Sequence, residues 1–267
     1  MGFADLHRGS WPLLLPNAWD VPSALAFAEA GFPAIGTTSF GVASSLGRPD
    51  GSRATATANL QLARALAGLD CYLTLDIEDG YSDDPAEVAG YAAALGVAGV
   101  NIEDSVAGEL ISPGAHAAKV AAVKDRQPDL FVNARVDTYW LGQQATVSET
   151  LSRAARYAGA GADGIFVPGA TEPALLRELA SGIGAPLNVL VIPALSLDEL
   201  AGLGVRRVST GSLPYRAAMR AATAAAAAVR DGLGIPDADP YPVLQGRLVR
   251  YAQQAGLLAG DAQDTGS

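Results

Sequence analysis

The sequence predicts an α/β fold of the TIM-type (β/α)8 barrel class, on three observations. Eight short apolar or β-branched runs alternate with alanine-rich helical stretches, the pattern of parallel βα units. The length of 267 residues is close to the ~250 typical of such a barrel. Eight regular repeats leave little chain for an open doubly wound sheet.

The elements follow in order. Leu13–Leu15 reads as the first strand and Pro22–Ala30 as its helix. In Ala-Gly-Phe-Pro-Ala-Ile, Ala30–Ile35, a glycine ends that helix and leads into the second strand, Ala34–Thr38. A Gly-rich loop from Ser39 ends in Leu46-Gly47-Arg48-Pro49-Asp50-Gly51, ahead of a helix over Ala54–Ala67. Tyr72–Asp76 is the third strand. Asp84-Pro85-Ala86-Glu87 then supplies a capping Asp, a first-turn Pro and a Glu three residues past the cap, so Pro85–Leu95 is helical. Strand Gly99–Ile102 pairs with helix Ala115–Arg126, and strand Phe131–Ala134 with helix Val147–Gly159. Ala160–Phe166 repeats the step from glycine to strand, giving strand Gly164–Val167 and helix Glu172–Ala180. Asn188–Val191 with Leu197–Leu203, and Arg207–Thr210 with Tyr215–Asp231, complete the set. The nearly all-alanine run Ala221–Ala228 suits a closely packed helix. No linker interrupts 1–240, which is read as one barrel domain. Residues 241–267 are read as a C-terminal helical extension and tail, with an amphipathic stretch Val243–Ala252 before Gly, Asp and Ser take over.

Composition excludes several functions. With 49% hydrophobic and 17% charged residues, the chain is too apolar for disorder. Its apolar runs fall short of the ~20 residues of a membrane helix, and no apolar signal core precedes Trp11. The expected location is cytoplasmic, without a membrane partner. Eighteen Lys and Arg against 28 Asp and Glu give a net charge of −10, which argues against nucleic acid. The one cysteine, Cys71, rules out a disulfide framework and reads as a core residue. Lys119 and Lys124, the only lysines, share one short stretch, which disfavours a central Schiff-base lysine. With only His7 and His116, a His-rich zinc site is excluded. His116 reads as an exposed histidine at a helix start.

In such barrels, function sits at the C-terminal ends of the strands. Ser39 follows strand two; Asp76, Glu78 and Asp79 follow strand three; Glu103 and Asp104 follow strand four; Asn133, Arg135 and Asp137 end strand five. Carboxylates converging on one mouth repel each other unless a cation neutralises them. With no imidazole or thiol nearby, hard oxygen ligands suit Mg²⁺, with Mn²⁺ as an alternative. Arg135 suits a carboxylate or phosphate. The site would hold a chelating anion such as a 2-oxo acid, whose developing oxyanion the metal stabilises. Helix capping and pairing with arginine explain strand-end acids too, and both readings stand at this stage.

These residues carry a resemblance. Pro16-Asn17-Ala18-Trp19-Asp20, the Ser39–Asp50 loop, Leu75-Asp76-Ile77-Glu78-Asp79-Gly80-Tyr81, Asn101-Ile102-Glu103-Asp104-Ser105 and Asn133-Ala134-Arg135-Val136-Asp137 together resemble the phosphoenolpyruvate mutase/isocitrate lyase superfamily, in the family's order and as far as about Ala222. The resemblance implies a modified barrel, a homo-oligomer (dimer or tetramer) with its last helix exchanged between subunits, and Mg²⁺ bound to the enolate of pyruvate. It implies Asp76, Glu78 and Glu103 as metal ligands, Glu78 replacing the usual Asp and reaching the metal through water. Arg135, Ser39, Phe40, Gly41 and Asn188 would bind substrate, and Asp50 would lie near the reacting group.

The departures narrow the expectation. Where lyases of the family carry Lys, Cys and His after strand four, this chain reads Ser105-Val106-Ala107-Gly108-Glu109-Leu110-Ile111-Ser112. Val167-Pro168-Gly169 lacks the Glu or His expected after strand six. The expected function is therefore Mg-dependent C–C cleavage of an oxaloacetate-like 2-oxo or 2-hydroxy carboxylate, which needs fewer loop groups than isocitrate cleavage. Alternatives are a phosphoenolpyruvate/phosphonopyruvate phosphomutase or P–C hydrolase, and a non-catalytic dicarboxylate-binding protein.

Overall fold

A computed structural model describes residues 2–255; the predicted tail beyond lies outside the described residues. In chain order the barrel strands are β1 (Leu13–Leu15), β2 (Asn17–Ala18), β3 (Ala34–Thr37), β4 (Tyr72–Asp76) and β5 (Gly99–Glu103). A two-stranded hairpin, β6 (Ser105–Val106) and β7 (Glu109–Leu110), follows. The barrel resumes with β8 (Phe131–Arg135), β9 (Gly164–Phe166), β10 (Leu187–Leu190) and β11 (Val205–Ser209). The helices are α1 (Val21–Glu29), α2 (Ser39–Ser45), α3 (Ala56–Leu66), α4 (Pro85–Leu95), α5 (Pro113–Arg126) and α6 (Thr138–Leu141). They continue as α7 (Val147–Gly159), α8 (Pro173–Gly182), α9 (Leu197–Gly202), α10 (Leu213–Arg230) and α11 (Tyr241–Gln254).

The nine barrel strands run β1-β11-β10-β9-β8-β5-β4-β3-β2, all pairings parallel. Pro16 explains why eight repeats give nine strands. Without an N–H it cannot donate to a ladder, and the first strand changes neighbours there. The Leu15 carbonyl accepts from Thr210 N on one side, and the Pro16 carbonyl from Gly36 N on the other. β1 thus pairs β11 while β2 pairs β3, and the barrel closes.

Strands buried on both faces read as continuous apolar runs, which is why periodicity located them. The main core lies between strands and helices and includes Leu75, Ile77, Val100, Ile102, Val132 and Ile165. A smaller cluster of Phe3, Leu13, Leu15, Ala34 and Phe131 plugs the N-terminal end. A 3-10 helix, Phe3–His7, belongs to that plug, with His7 stacked on Phe131 at 4.3 Å between ring centroids.

Three expectations change. The Gly-rich segment after Ser39 is helix α2, because Gly41 lets it lie on Trp19; an added Cβ would sit 2.8 Å from Trp19 Cβ. Cys71 is half-buried against the core rather than inside it. His116 is wholly buried, since it shares the inward face of α5 with Lys119, Val120 and Val123.

His116 packs against the Tyr157 ring at 4.3 Å. Burial, then the nearby Lys119 and Arg153 charges, push its pKa down to about 3. The unfolded chain therefore takes up this proton first. The contribution to stability is complete above the unfolded value near 6.5 and lost as pH falls toward 3, by ~1.4 kcal/mol per pH unit. Urea titrations at pH 7 and pH 5 should show His116→Phe flattening the pH dependence by that slope. An unchanged slope would show that His116 is charged in the folded state.

α10 and α11 complete the chain. α10 has no buried residue. α11 lies on its own barrel: Arg247 Nε donates to Glu29 Oε2 at 2.7 Å, and the Tyr251 hydroxyl donates to the Ala65 carbonyl. Among the described residues, no helix is long and apolar enough to cross a membrane.

Candidate active site

The C-terminal strand ends surround a cavity of about 350 Å³, lined on its polar side by Asn17, Ser39, Asp50, Asp76, Asn101 and Arg135. A second, smaller cavity adjoins it, bordered by Glu78, Glu103 and the tip of the β6–β7 hairpin. Asp50, Arg135 and Trp140 border both, so the two are halves of one mouth.

Asp76 ends β4. Its Oδ2 accepts from Ser39 Oγ at 3.1 Å, and its Oδ1 from Glu78 N at 3.1 Å. Burial is the main force on this carboxyl, and the Asp50 charge adds to it. Together they outweigh Arg135 and the hydrogen bonds and lift the pKa to about 6. Glu103 ends β5, and its pKa lies well above the ordinary carboxylate value, through burial and then repulsion from Asp76, Asp137 and Asp50, against the attraction of Arg135.

Arg135 ends β8 between these acids. It pairs with Glu103 through Nη1, and its Nε lies 2.5 Å from Asp137 Oδ1. Its guanidinium sits 5.5 Å from the Trp140 ring and 5.7 Å from that of Phe166. Burial works against its charge, and Glu103, Asp137 and Asp76 more than offset it.

Glu78 does not join Asp76. Its φ is +49°, a left-handed conformation that costs energy in a residue with a Cβ. It holds the loop before α3: Arg53 N donates to Oε2 at 2.8 Å and Thr55 Oγ to Oε1 at 2.6 Å. Asp76, Glu78 and Glu103 thus do not converge as one ligand set, because buried carboxylates take protein donors and counter-charges. Among the described residues, no three acid, imidazole or thiol groups are arranged to hold a metal. The donor chemistry at the mouth nonetheless fits a hard divalent cation. The Asp50 charge raises the cost of ionising Asp76, and the Asp76 and Asp50 charges raise that of Glu103; all three offer oxygen.

Other acids are structural. Asp79 pairs with Arg53 and the buried Lys119. Asp104 accepts from Arg153 at 3.0 Å and Tyr157 at 2.7 Å.

Of the predicted substrate residues, Ser39, Phe40 and Arg135 line the larger cavity. Gly41 lies behind it against Trp19. Asn188 does not reach it; it is buried, with neither amide atom paired, while Leu190 and Val191 further along the chain form the wall. The β10 register puts Asn188 level with Arg207, below the floor.

Sequence reasoning missed Trp140 and gave Asn101, named within a motif, no role. Trp140 is 55% exposed on the short helix α6. Its signal is Gly169, whose φ is +83° and where an added Cβ would meet the Tyr139 carbonyl carbon at 2.8 Å. The departure Val167-Pro168-Gly169 thus seats α6 at the mouth. The loop after Glu103 is the β6–β7 hairpin, turning at Ala107 (φ +50°) and Gly108 (φ +82°). Gln143 fixes it twice, accepting from Leu110 N at 3.1 Å and donating to the Gly108 carbonyl at 2.9 Å. Ser105 Oγ ties its base to Asp137 at 2.6 Å.

The family model described as Phosphoenolpyruvate phosphomutase matches residues 3–230. The uncharacterized protein Rv1998c of Mycobacterium tuberculosis is 58% identical over 251 residues, covering 94% of this chain and 97% of that protein. The structure of 2,3-dimethylmalate lyase, a PEP mutase/isocitrate lyase superfamily member, aligns with a TM-score of 0.80 at 25% identity, covering 98% of this chain and 96% of that one. Phosphonopyruvate hydrolase in complex with oxalate and Mg²⁺ aligns with a TM-score of 0.79 at 25% identity, covering 97% of this chain and all of that one (100%).

Proposed function

The chain belongs to the phosphoenolpyruvate mutase/isocitrate lyase superfamily, whose members are enzymes, and from that premise we propose that it is a Mg²⁺-dependent lyase cleaving a C–C bond of an oxaloacetate-like 2-oxo or 2-hydroxy carboxylate. The observation that carries this is the shared cavity of Asp76, Ser39 and Arg135. It offers an anion site beside a carboxylate whose charge is poorly tolerated.

Asp76 and Glu103 would hold the cation, Mg²⁺ or Mn²⁺, while Glu78 would stay with Arg53 and Thr55 and hold the loop before α3. When bound, the metal supplies a Lewis acid that favours negative charge on the 2-oxo oxygen. Arg135 binds the substrate carboxylate with a planar pair of donors. Ser39, whose hydroxyl donates to Asp76 Oδ2 in the free protein, would offer that hydroxyl and its N–H to the substrate once the Asp76 charge is taken up by the cation. Phe40, Trp140, Phe166 and Leu190 cover the fragment being cleaved and thin out water. For an oxaloacetate-like 2-oxo acid, the distal carboxylate would leave as CO2, the electron pair of the broken C–C bond would pass into the 2-oxo fragment, and the carbon it leaves would take a proton from a water that Asp50 orients.

We further propose a homo-oligomer, a dimer or tetramer, built through α10 and α11 with exchange of α11. Met219 and Val229 on α10, and Val243, Leu244 and Leu248 on α11, are exposed apolar residues, which a second copy would cover. Sedimentation equilibrium showing only monomer would exclude it.

The deciding assay offers oxaloacetate, methylisocitrate, isocitrate and phosphonopyruvate with Mg²⁺ and then with chelator, reading pyruvate or glyoxylate by a coupled reductase. Chelator-sensitive pyruvate from oxaloacetate is expected. Product from phosphonopyruvate alone would turn the assignment to P–C cleavage. Oxalate binding with no product from any of the four would leave a binding protein.

A further inference from the structure

Asn101 lies on β5, borders the larger cavity and is 4% exposed. Its Oδ1 takes two donors, Asn133 Nδ2 at 2.9 Å and Arg207 Nη2 at 3.0 Å. Arg207 comes from β11, which β10, β9 and β8 separate from β5 on that side. Its side chain therefore spans the barrel interior beneath the cavity floor. It is 1% exposed, and its Nε and Nη1 have no protein partner.

This pairing fixes the Asn101 amide. An asparagine has a donor end and an acceptor end that exchange by a half-turn. A guanidinium has only donors, so the amide facing it must present oxygen. Asn133 makes the same demand on the same atom. The Nδ2 group is thereby left to the cavity side.

We propose that Asn101 is a specificity-determining residue, its Nδ2 donating to an oxygen of the bound carboxylate substrate, and that Arg207 is the positioning residue that keeps this donor turned toward the cavity. The inference rests on the oxo-acid reading above. A ligand with a carboxylate or oxo oxygen at the inner end of the cavity satisfies the donor. One with a methyl group there leaves a buried N–H unpaired, which sites of this kind reject strongly. Arg135 at the rim and Asn101 at the floor then read the two ends of a short dianion.

The test is calorimetric titration of oxalate into the full-length protein at fixed Mg²⁺. Asn101→Asp preserves shape and gives Arg207 a carboxylate partner, so folding is kept, while the atom facing the cavity becomes an oxygen. The oxalate Kd should rise on the order of tenfold or more, the scale of one hydrogen bond to a charged group, with Tm no lower than wild type. Arg207→Met should weaken oxalate binding severalfold, yet add nothing further in an Asn101→Leu background, because its effect on the ligand passes through Asn101. Equal losses in both backgrounds would mark Arg207 as a general support of the barrel and overturn its positioning role. Wild-type affinity in Asn101→Asp would overturn the recognition role while the oxo-acid reading stands. Wild-type protein that binds no oxalate with Mg²⁺ would overturn both.

Discussion

Asp76→Asn should abolish turnover and raise Tm at pH 7.5 in the presence of chelator. The substitution is isosteric and its oxygen still accepts from Ser39 Oγ, now 3.1 Å from Asp76 Oδ2, while the bond that Asp76 Oδ1 accepts from Glu78 N at 3.1 Å is given up, a cost smaller than that of the buried charge. What it removes is a charge that burial opposes, since the pKa stands at about 6 against an ordinary 3.8. A carboxyl whose folded pKa is raised costs stability at every pH above it. That cost shrinks as pH falls and is gone below the unfolded value. The gain from Asp76→Asn is therefore full above about pH 6 and fades toward pH 4. A function bought at the expense of stability is what sites that work on charge display. Differential scanning calorimetry at pH 7.5 and 4.5 checks the first half, and the oxaloacetate assay the second. Full activity in Asp76→Asn would remove Asp76 from the site; a lower Tm would show that Arg135 and the hydrogen bonds outweigh burial.

Arg135→Met should cost both stability and activity. The guanidinium is the shared counter-charge of Glu103 and Asp137 and also attracts Asp76. Its side chain is 13% exposed and Asp137 is fully buried. Breaking a buried pair from one side leaves uncompensated charge and costs about 3–5 kcal/mol. Lost anion binding should lower kcat/KM by on the order of 10³-fold. Arg135→Lys keeps the charge, so it should recover much of the stability. It loses the planar fork and the stacking on Trp140 and Phe166, so it should recover little activity. Urea titration of the two variants separates these effects. Wild-type stability in Arg135→Met would refute the counter-charge account.

The barrel was legible because its strands are buried on both faces and its helix starts carry local chemistry, as at Asp84, which accepts from Ala86 N at 2.8 Å. What escaped depended on contacts distant in sequence. The change of partners at Pro16 requires knowing that β11 and β3 flank it. Helix α2 forms in a poor helical sequence because Gly41 meets Trp19. His116 is turned inward by the face of α5 it shares with Val120 and Val123. Position after a strand put Asp76, Glu103 and Arg135 at the strand ends, and the structure gathers all three around one mouth. Position alone could not foresee that Glu78 turns to Arg53 and Thr55, or that the β10 register sinks Asn188 below the floor. Asn101 stood in a quoted motif without a role, because a single amide within a strand has no signal until Arg207 is seen facing it from across the barrel.

The stitched hairpin after Glu103 bears on traffic through the mouth. Gln143 grips it near the tip and Asp137 at the base, so the mouth is edged there by a segment tied at both ends rather than by a free loop. On the lyase reading proposed above, substrate would enter and product leave past Trp140 without waiting for that segment to open.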